Sequence, residues 1–164
     1  MYRLSCELLI KRSLDRVFPF FENARNLAEI TPGWLKFEIA SKGEIHMRPG
    51  AGIEYRIRLM GVPMRWKSVI TEYQPPHCFV DEQETGPYRS WRHVHIFRAV
   101  RDGTLASDEV DYSLPFGGLG RLAHFALVRH QLLAIFRYRQ AKLSRVFEGA
   151  TEAVKDPVIV LKRP

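Results

Sequence analysis

Cysteine is scarce in this chain: Cys6 and Cys78 are the only two among 164 residues. A single pair cannot make a disulfide framework, and two buried thiols fit a reducing compartment better. Long apolar runs are missing too. No stretch approaches the ~20 uninterrupted apolar residues of a membrane span. The opening residues, Met1 to Cys6, carry Arg3 and lack the apolar core and cleavage site of a signal peptide. A cytoplasmic location is the expectation. There is no Gly-x-Ser-x-Gly elbow for a serine nucleophile and no Gly-x-x-x-x-Gly-Lys loop for a nucleotide phosphate. Low-complexity linkers and internal repeats are absent as well. With 46% hydrophobic residues the chain has enough apolar material for one real core.

Negative charge is in short supply, and the formal net charge is +7. Such a surplus invites a nucleic-acid reading. The placement of the charges argues against it. Arg121, Arg129, Arg137, Arg139, Lys142 and Arg145 fall at many angles around one helix and form no stripe. Cations are also favoured towards a helix C-terminus by its dipole. No nucleic-acid partner is expected, and contact with an acidic membrane surface stays open.

Proline is absent from Gly117 to Gly149, and this stretch organises the rest. Phe125, Leu132, Phe136, Leu143 and Phe147 recur at spacings of seven and four, with Val128, Ile135 and Val146 beside them. That pattern is one apolar stripe of a helix roughly 40 Å long. The stripe needs a partner of similar length, and the preceding chain reads as strands. Residues 3–10 alternate as a first strand. Ser13 can cap a short helix carrying Val17, Phe18, Phe21 and Ala24, and a second short helix fits Asn26 to Ile30, stopped by Pro32. Six further strands follow, at about 35–42, 53–59, 65–70, 78–84, 88–100 and 104–113, joined by Gly- and Pro-rich turns. Asp102-Gly103 is the strongest hairpin signal among them. The expected architecture is α+β: an antiparallel seven-stranded sheet, two short helices between its first and second strands, and a long C-terminal helix. Residues 1–150 make the domain. The tail 151–164 contains a Val-Ile-Val-Leu run that adds to the fold, contacts a neighbour or frays.

This order resembles the helix-grip fold of the SRPBCC superfamily, which includes START lipid-binding domains, the birch-allergen group and polyketide cyclase/dehydrase-like proteins. Local phrases carry the resemblance. Asn26-Leu27-Ala28-Glu29-Ile30-Thr31-Pro32 is similar to the segment after the first helix in bacterial ligand-binding members. The run from Gly86 through Trp91-Arg92-His93-Val94-His95 to Phe97 resembles their central strand. Asp108-Glu109-Val110-Asp111-Tyr112, followed by Pro115-Phe116-Gly117-Gly118-Leu119-Gly120, resembles their last strand and the approach to the final helix. Phe136-Arg137-Tyr138-Arg139 resembles a point within that helix. Polyketide cyclase-like and coenzyme Q-binding START-type proteins are the nearest groups. The resemblance implies a curved sheet wrapped around the helix, with a cavity between. It implies a hydrophobic or amphipathic ligand, such as a lipid, quinone or polyketide. It does not fix a chemistry, because such folds host binders, transporters and enzymes.

Period-two alternation puts Trp91, His93, His95 and Phe97 on one sheet face. If Asp102-Gly103 forms a two-residue turn, Phe97 faces Asp108, His95 faces Val110 and His93 faces Tyr112. Asp81 and Gln83 alternate one strand earlier. The candidate polar set is therefore Asp81, Gln83, His93, His95, Asp108 and Tyr112. Its apolar frame is Tyr55, Ile57, Trp66, Trp91, Phe97 and the helix stripe, including Phe136. Arg139 also falls in the stripe. It either snorkels to the helix edge or pairs with a cavity carboxylate such as Asp81.

Three readings of this set compete. The polar groups satisfy each other inside the core, or they are the few fixed contacts of a ligand pocket. In the third, His93 or His95, oriented by Asp108, is a general base for cyclase or dehydratase chemistry. A metal is not expected, because no Glu follows His95 at short spacing and no second His segment matches. No cofactor is implied. The favoured expectation is binding, transport or sequestration of a hydrophobic small molecule. The alternatives are the enzyme and a non-catalytic accessory domain that docks to a protein or membrane. A monomer and a homodimer fit equally well.

Overall fold

The computed structural model describes residues 1–41, 43–59 and 61–162. The chain runs β1 (Tyr2–Ile10), α1 (Leu14–Glu22), two 3-10 turns (Ala24–Ala28 and Gly33–Leu35), then β2 (Glu38–Ile39), β3 (Gly52–Leu59) and β4 (Val62–Gln74). It continues through β5 (Cys78–Thr85), β6 (Ser90–Val100) and β7 (Gly103–Ser113). The final helix is α2 (Gly117–Ala123), a π turn (His124–Val128) and α3 (Arg129–Val146), and β8 (Thr151–Leu161) is the last element.

The strands form one antiparallel sheet in the order β2-β3-β4-β5-β6-β7-β1-β8. Seven strands are those expected from alternation, and the tail supplies an eighth. Its Val-Ile-Val-Leu run pairs with β1, with Ile159 opposite Leu4 and buried. Β1 thus has a neighbour on both sides and sends Leu4, Cys6, Leu8 and Ile10 into the core, as its alternation predicts.

Three further expectations change. The strand expected at 35–42 shrinks to two residues, because Lys36 takes a left-handed conformation (φ 46°) and breaks the extended chain. The helix is not one uniform α-helix: the Arg129 amide bonds to the His124 carbonyl across a π turn. A π turn holds more residues than an α turn. It shifts the helical phase, so His124 is buried and Phe125, expected in the stripe, is 71% exposed. Leu132, Phe136 and Leu143 hold the stripe as expected.

The β6–β7 hairpin turns on Arg101-Asp102, with Val100 opposite Gly103. The expected register is therefore off by two: His95 faces Asp108, His93 faces Val110 and Phe97 faces Ala106. Two residues is a full side-chain period, so every side chain keeps its face. Gly103 serves a close approach instead of the turn, since a Cβ there would collide with the Ile10 carbonyl. Gly120 is similar: a Cβ would strike the Pro115 carbonyl where sheet passes into helix.

Candidate functional site

Β5, β6 and β7 set the polar part of the site. On β6, His93 and His95 are i, i+2 on the inner face, with ring centroids 3.7 Å apart. Asp81 pairs with His93 across one side, and Asp108 pairs with His95 across the other. Two imidazoles are thus held between two carboxylates. The His93 Nε2–H donates to Asp108 Oδ1 at 2.8 Å. His95 lies 3.2 Å from Asp81 through Nε2 and 3.1 Å from Asp108 through Nδ1. His93 Nδ1 is 3.7 Å from Asp81 and makes no hydrogen bond to it.

The electrostatics divide the two histidines. Burial pushes His95 down, but hydrogen bonds to Asp108 and Asp81 raise it above its ordinary value. Burial also pushes His93 down, the neighbouring His95 charge adds to that, and the contacts with Asp108 and Asp81 do not restore it. For both acids burial acts upwards. At Asp108 the bonds from His93 and His95 outweigh it and hold the carboxyl well below its usual range. At Asp81 the His95 bond and the charges of His93, His95 and Arg139 have the same net sense. A relay extends the network: the Trp66 indole donates to Ser68 Oγ at 3.1 Å, and Ser68 donates to Asp81 at 3.4 Å.

Beside this network lies a cavity of about 170 Å³ between β3–β6, the segment 20–37 and α3. Tyr55, Ile57, Trp66, Asp81, Trp91, His93, His95, Phe136 and Arg139 line it, nine of the predicted site residues. Asp108 stands behind the histidines. Three further predicted residues do not line it. Gln83 instead staples the following loop, accepting from the Tyr88 amide and donating to its carbonyl. Phe97 fills an aromatic core with Phe18, Phe21 and Phe79. The Tyr112 hydroxyl and His124 Nε2 share a hydrogen bond at 2.8 Å, and Tyr2 stacks on the His124 ring. Tyr112 thereby stands behind the cavity wall, packed on Tyr88 and Trp91, which do line it.

Arg139 settles between its two readings. Its side chain is 11% exposed and faces inward, with Nη1 3.9 Å from Asp108 and the guanidinium over the Phe136 ring. It does not snorkel to the helix edge. The expectation missed the other wall, made by Phe20, Phe21, Leu27, Ile30, Leu35 and Phe37. The apolar density of 17–37 was its available signal, but strand alternation does not apply there.

Asp81, His93 and His95 place three potential ligand atoms within 4.8 Å of one another. Asp81 comes from the adjacent strand, so spacing along β6 alone does not reveal it. Both His95 nitrogens and His93 Nε2 are already engaged with Asp81 or Asp108, His93 Nδ1 is not, and the Arg139 cation stands beside Asp108. A divalent ion would have to displace these contacts and face the guanidinium. Cys6 adds no nucleophile: it is buried, its thiol lies 3.8 Å from Asp108, and burial raises its pKa strongly. Both cysteines are free.

A curved, open antiparallel sheet with a long C-terminal helix, a cavity between them and short helical segments after β1 defines the helix-grip class. Residues 10–137 match the family "Polyketide cyclase / dehydrase and lipid transport", and the chain belongs to it. Solved structures agree on the fold. Protein Ms6760 from Mycobacterium smegmatis superposes with a TM-score of 0.64 at 14% identity, over 89% of this chain and 90% of that one. Protein CV1439 from Chromobacterium violaceum gives 0.69 at 10% identity, over 90% and 99%. Major latex-like protein 151 from Panax ginseng gives 0.53 at 16% identity, over 85% and 95%. No curated protein sequence matches significantly. Among the described residues no helix is long and apolar enough to cross a membrane.

Proposed function

We propose that this protein binds a small hydrophobic molecule in the cavity between its sheet and its final helix. One observation carries the reading: an internal space walled mostly by aromatic and aliphatic side chains, with its few polar groups gathered on one side. That is the usual make-up of a ligand site, in which apolar walls supply affinity and sparse polar groups supply orientation. About 170 Å³ is of the same order as a ~150 Å³ engineered cavity that takes benzene. A ring system or a short acyl segment matches that space, and a whole diacyl lipid does not. Native mass spectrometry of the purified protein, followed by solvent extraction, tests the reading. A stoichiometric apolar compound supports it. An empty protein that also takes up no member of an aromatic and acyl panel refutes it.

A second reading has its own support. Burial holds His93 below its ordinary value, its Nε2–H is fixed on Asp108, and its Nδ1 makes no hydrogen bond to Asp81. A base oriented in this way suits proton removal next to a carbonyl, as in a cyclase or dehydratase. It predicts that His93→Ala abolishes turnover of a bound ketone while leaving its affinity unchanged. Equal loss of both would sink it.

Ligand delivery fits contact with an anionic bilayer from the cytoplasmic side. Phe116, Leu119, Leu122 and Phe125 are 66–83% exposed at the start of the helix, with Arg121 and Arg129 also exposed on it. Phe116 holds a left-handed conformation (φ 66°) that costs a bulky residue energy, and no internal packing of its side chain repays it. Apolar side chains flanked by cations suit an acidic lipid surface. Co-sedimentation with phosphatidylglycerol-containing vesicles, and none with pure phosphatidylcholine, is the expected outcome. No sedimentation with either would remove this route.

A further inference from the structure

Arg139 stands out because it is buried without being satisfied. A guanidinium carries five N–H donors and no acceptor. The Nε of Arg139 is buried and has no hydrogen-bond partner among the described residues. The nearest carboxylate contact is Nη1 to Asp108 Oδ1 at 3.9 Å, beyond hydrogen-bond range. That same oxygen already takes the His93 Nε2–H at 2.8 Å and lies 3.1 Å from His95 Nδ1. The guanidinium rests on the Phe136 ring, which offers a π face and no lone pair. Buried donors without acceptors cost free energy, and native proteins rarely leave them so. Arg139 also lines the cavity, so an acceptor can reach it from within.

The local charge narrows the acceptor. Asp81 and Asp108 already place two carboxylates at this end of the cavity, with both imidazoles and the Arg139 guanidinium against them. A site that already holds two carboxylates suits a neutral acceptor. A ligand carboxylate would leave an uncompensated buried charge, and an amine would offer donors where acceptors are needed. A carbonyl oxygen has the lone pairs and no charge.

Resting on the ligand-binding reading, we propose that Arg139 is the specificity-determining residue of the cavity, selecting compact apolar molecules that present a carbonyl oxygen to its guanidinium. Ketones, quinones and esters share this chemistry. Plain hydrocarbons of the same shape lack it.

Two probes separate these cases: 1-tetralone and tetralin, a matched fused-ring pair differing only in the ketone. Trp66 and Trp91 line the cavity, so quenching of their fluorescence reports occupancy. In the wild type, tetralone is expected to bind about tenfold or more tightly than tetralin, the usual worth of a hydrogen bond to a charged group. Arg139→Met keeps an unbranched stem of similar reach. It is expected to bring the two affinities within about twofold, mainly by weakening tetralone. Arg139→Lys is expected to restore part of the preference. Equal wild-type affinities would overturn the proposal, a result that needs no variant to fold. A preference retained in Arg139→Met would overturn it as well. Binding of neither probe would instead defeat the ligand-binding reading, and the inference with it.

Discussion

The inner face of β6 passes through two kinds of interior within one strand. At its C-terminal end Phe97 is sealed among Phe18, Phe21 and Phe79, with ring centroids 4.9–6.1 Å apart. Four residues earlier His93 borders a cavity and a network of charges. The same alternation produces both ends. What differs is the cover: α1 packs Phe18 and Phe21 onto Phe97, whereas the end of α1, the 3-10 turns and the Arg139 region of α3 roof the other end. Interlocked aromatic rings fill the first end, and the roof leaves room at the second.

Substitutions can break this comparison in order of expected effect. Phe97→Ala empties the sealed end and should cost roughly 4 kcal/mol in denaturant unfolding, with ligand affinity at the other end nearly unchanged. A coupled loss of binding would show that the two ends are one unit. Asp108→Asn removes a carboxylate shared by two imidazoles and should cost about 3 kcal/mol. A neutral result would mean that the network contributes little to stability. Ile57→Ala, beside existing space, should cost about 2 kcal/mol and shift preference towards a bulkier ligand. Unchanged selectivity would place Ile57 outside the binding volume.

The pH dependence sharpens the same contrast, because the titrating groups lie at the hollow end. The groups facing one another there are Asp81, Asp108, His93, His95, Arg139 and Cys6. The two acids are depressed, so their stabilisation is full above the unfolded carboxyl value near ~3.9 and is lost as pH falls through the folded values. His93 is also depressed, so its contribution begins to fall as pH drops below ~6.5. His95 is raised and has the opposite sign: its contribution is full below ~6.5 and is lost as pH rises through its folded value. Melting temperature against pH should therefore show an acid limb that Asp108→Asn reduces and a neutral-to-alkaline limb that His95→Gln removes. An unaltered alkaline limb in His95→Gln would mean that another group carries that proton. The smallest effect on stability is predicted for Phe125→Ser, within about 0.5 kcal/mol, because the side chain lies in solvent. Its readout is loss of vesicle binding.

Period-two patterning was sufficient to find the strands and to put Trp91, His93 and His95 on one face. It also brought Asp81 and Asp108 to the correct neighbouring strands. The register of Asp108 was not legible, because Asp102-Gly103 has two uses: a tight turn, or room for the Ile10 carbonyl. Phe97 and Tyr112 share their faces with cavity residues. Nothing in alternation says where along a face packing ends and space begins. Arg139 in the stripe was visible, but its direction depended on the depth of the cavity beneath it. The fate of the tail depended on β1 having a free edge, which is a property of sheet order. The phase shift at His124 followed from a backbone choice with no residue signature.

The two-residue β2 has a consequence in time. From Asn23 to Lys36 the backbone bonds of the roof are local, such as Asn26 to Asn23, Glu29 to Asn26 and Leu35 to Pro32. Β1 on the far side is laced to β7 and β8. Segments held by few long-range bonds open at low free energy, and strands paired on both sides open only near global unfolding. Amides of the roof should exchange with deuterium long before those of β1. A ligand beneath the roof would slow the first set and leave the second unchanged, so occupancy of the cavity becomes readable as a difference between two clocks in one molecule.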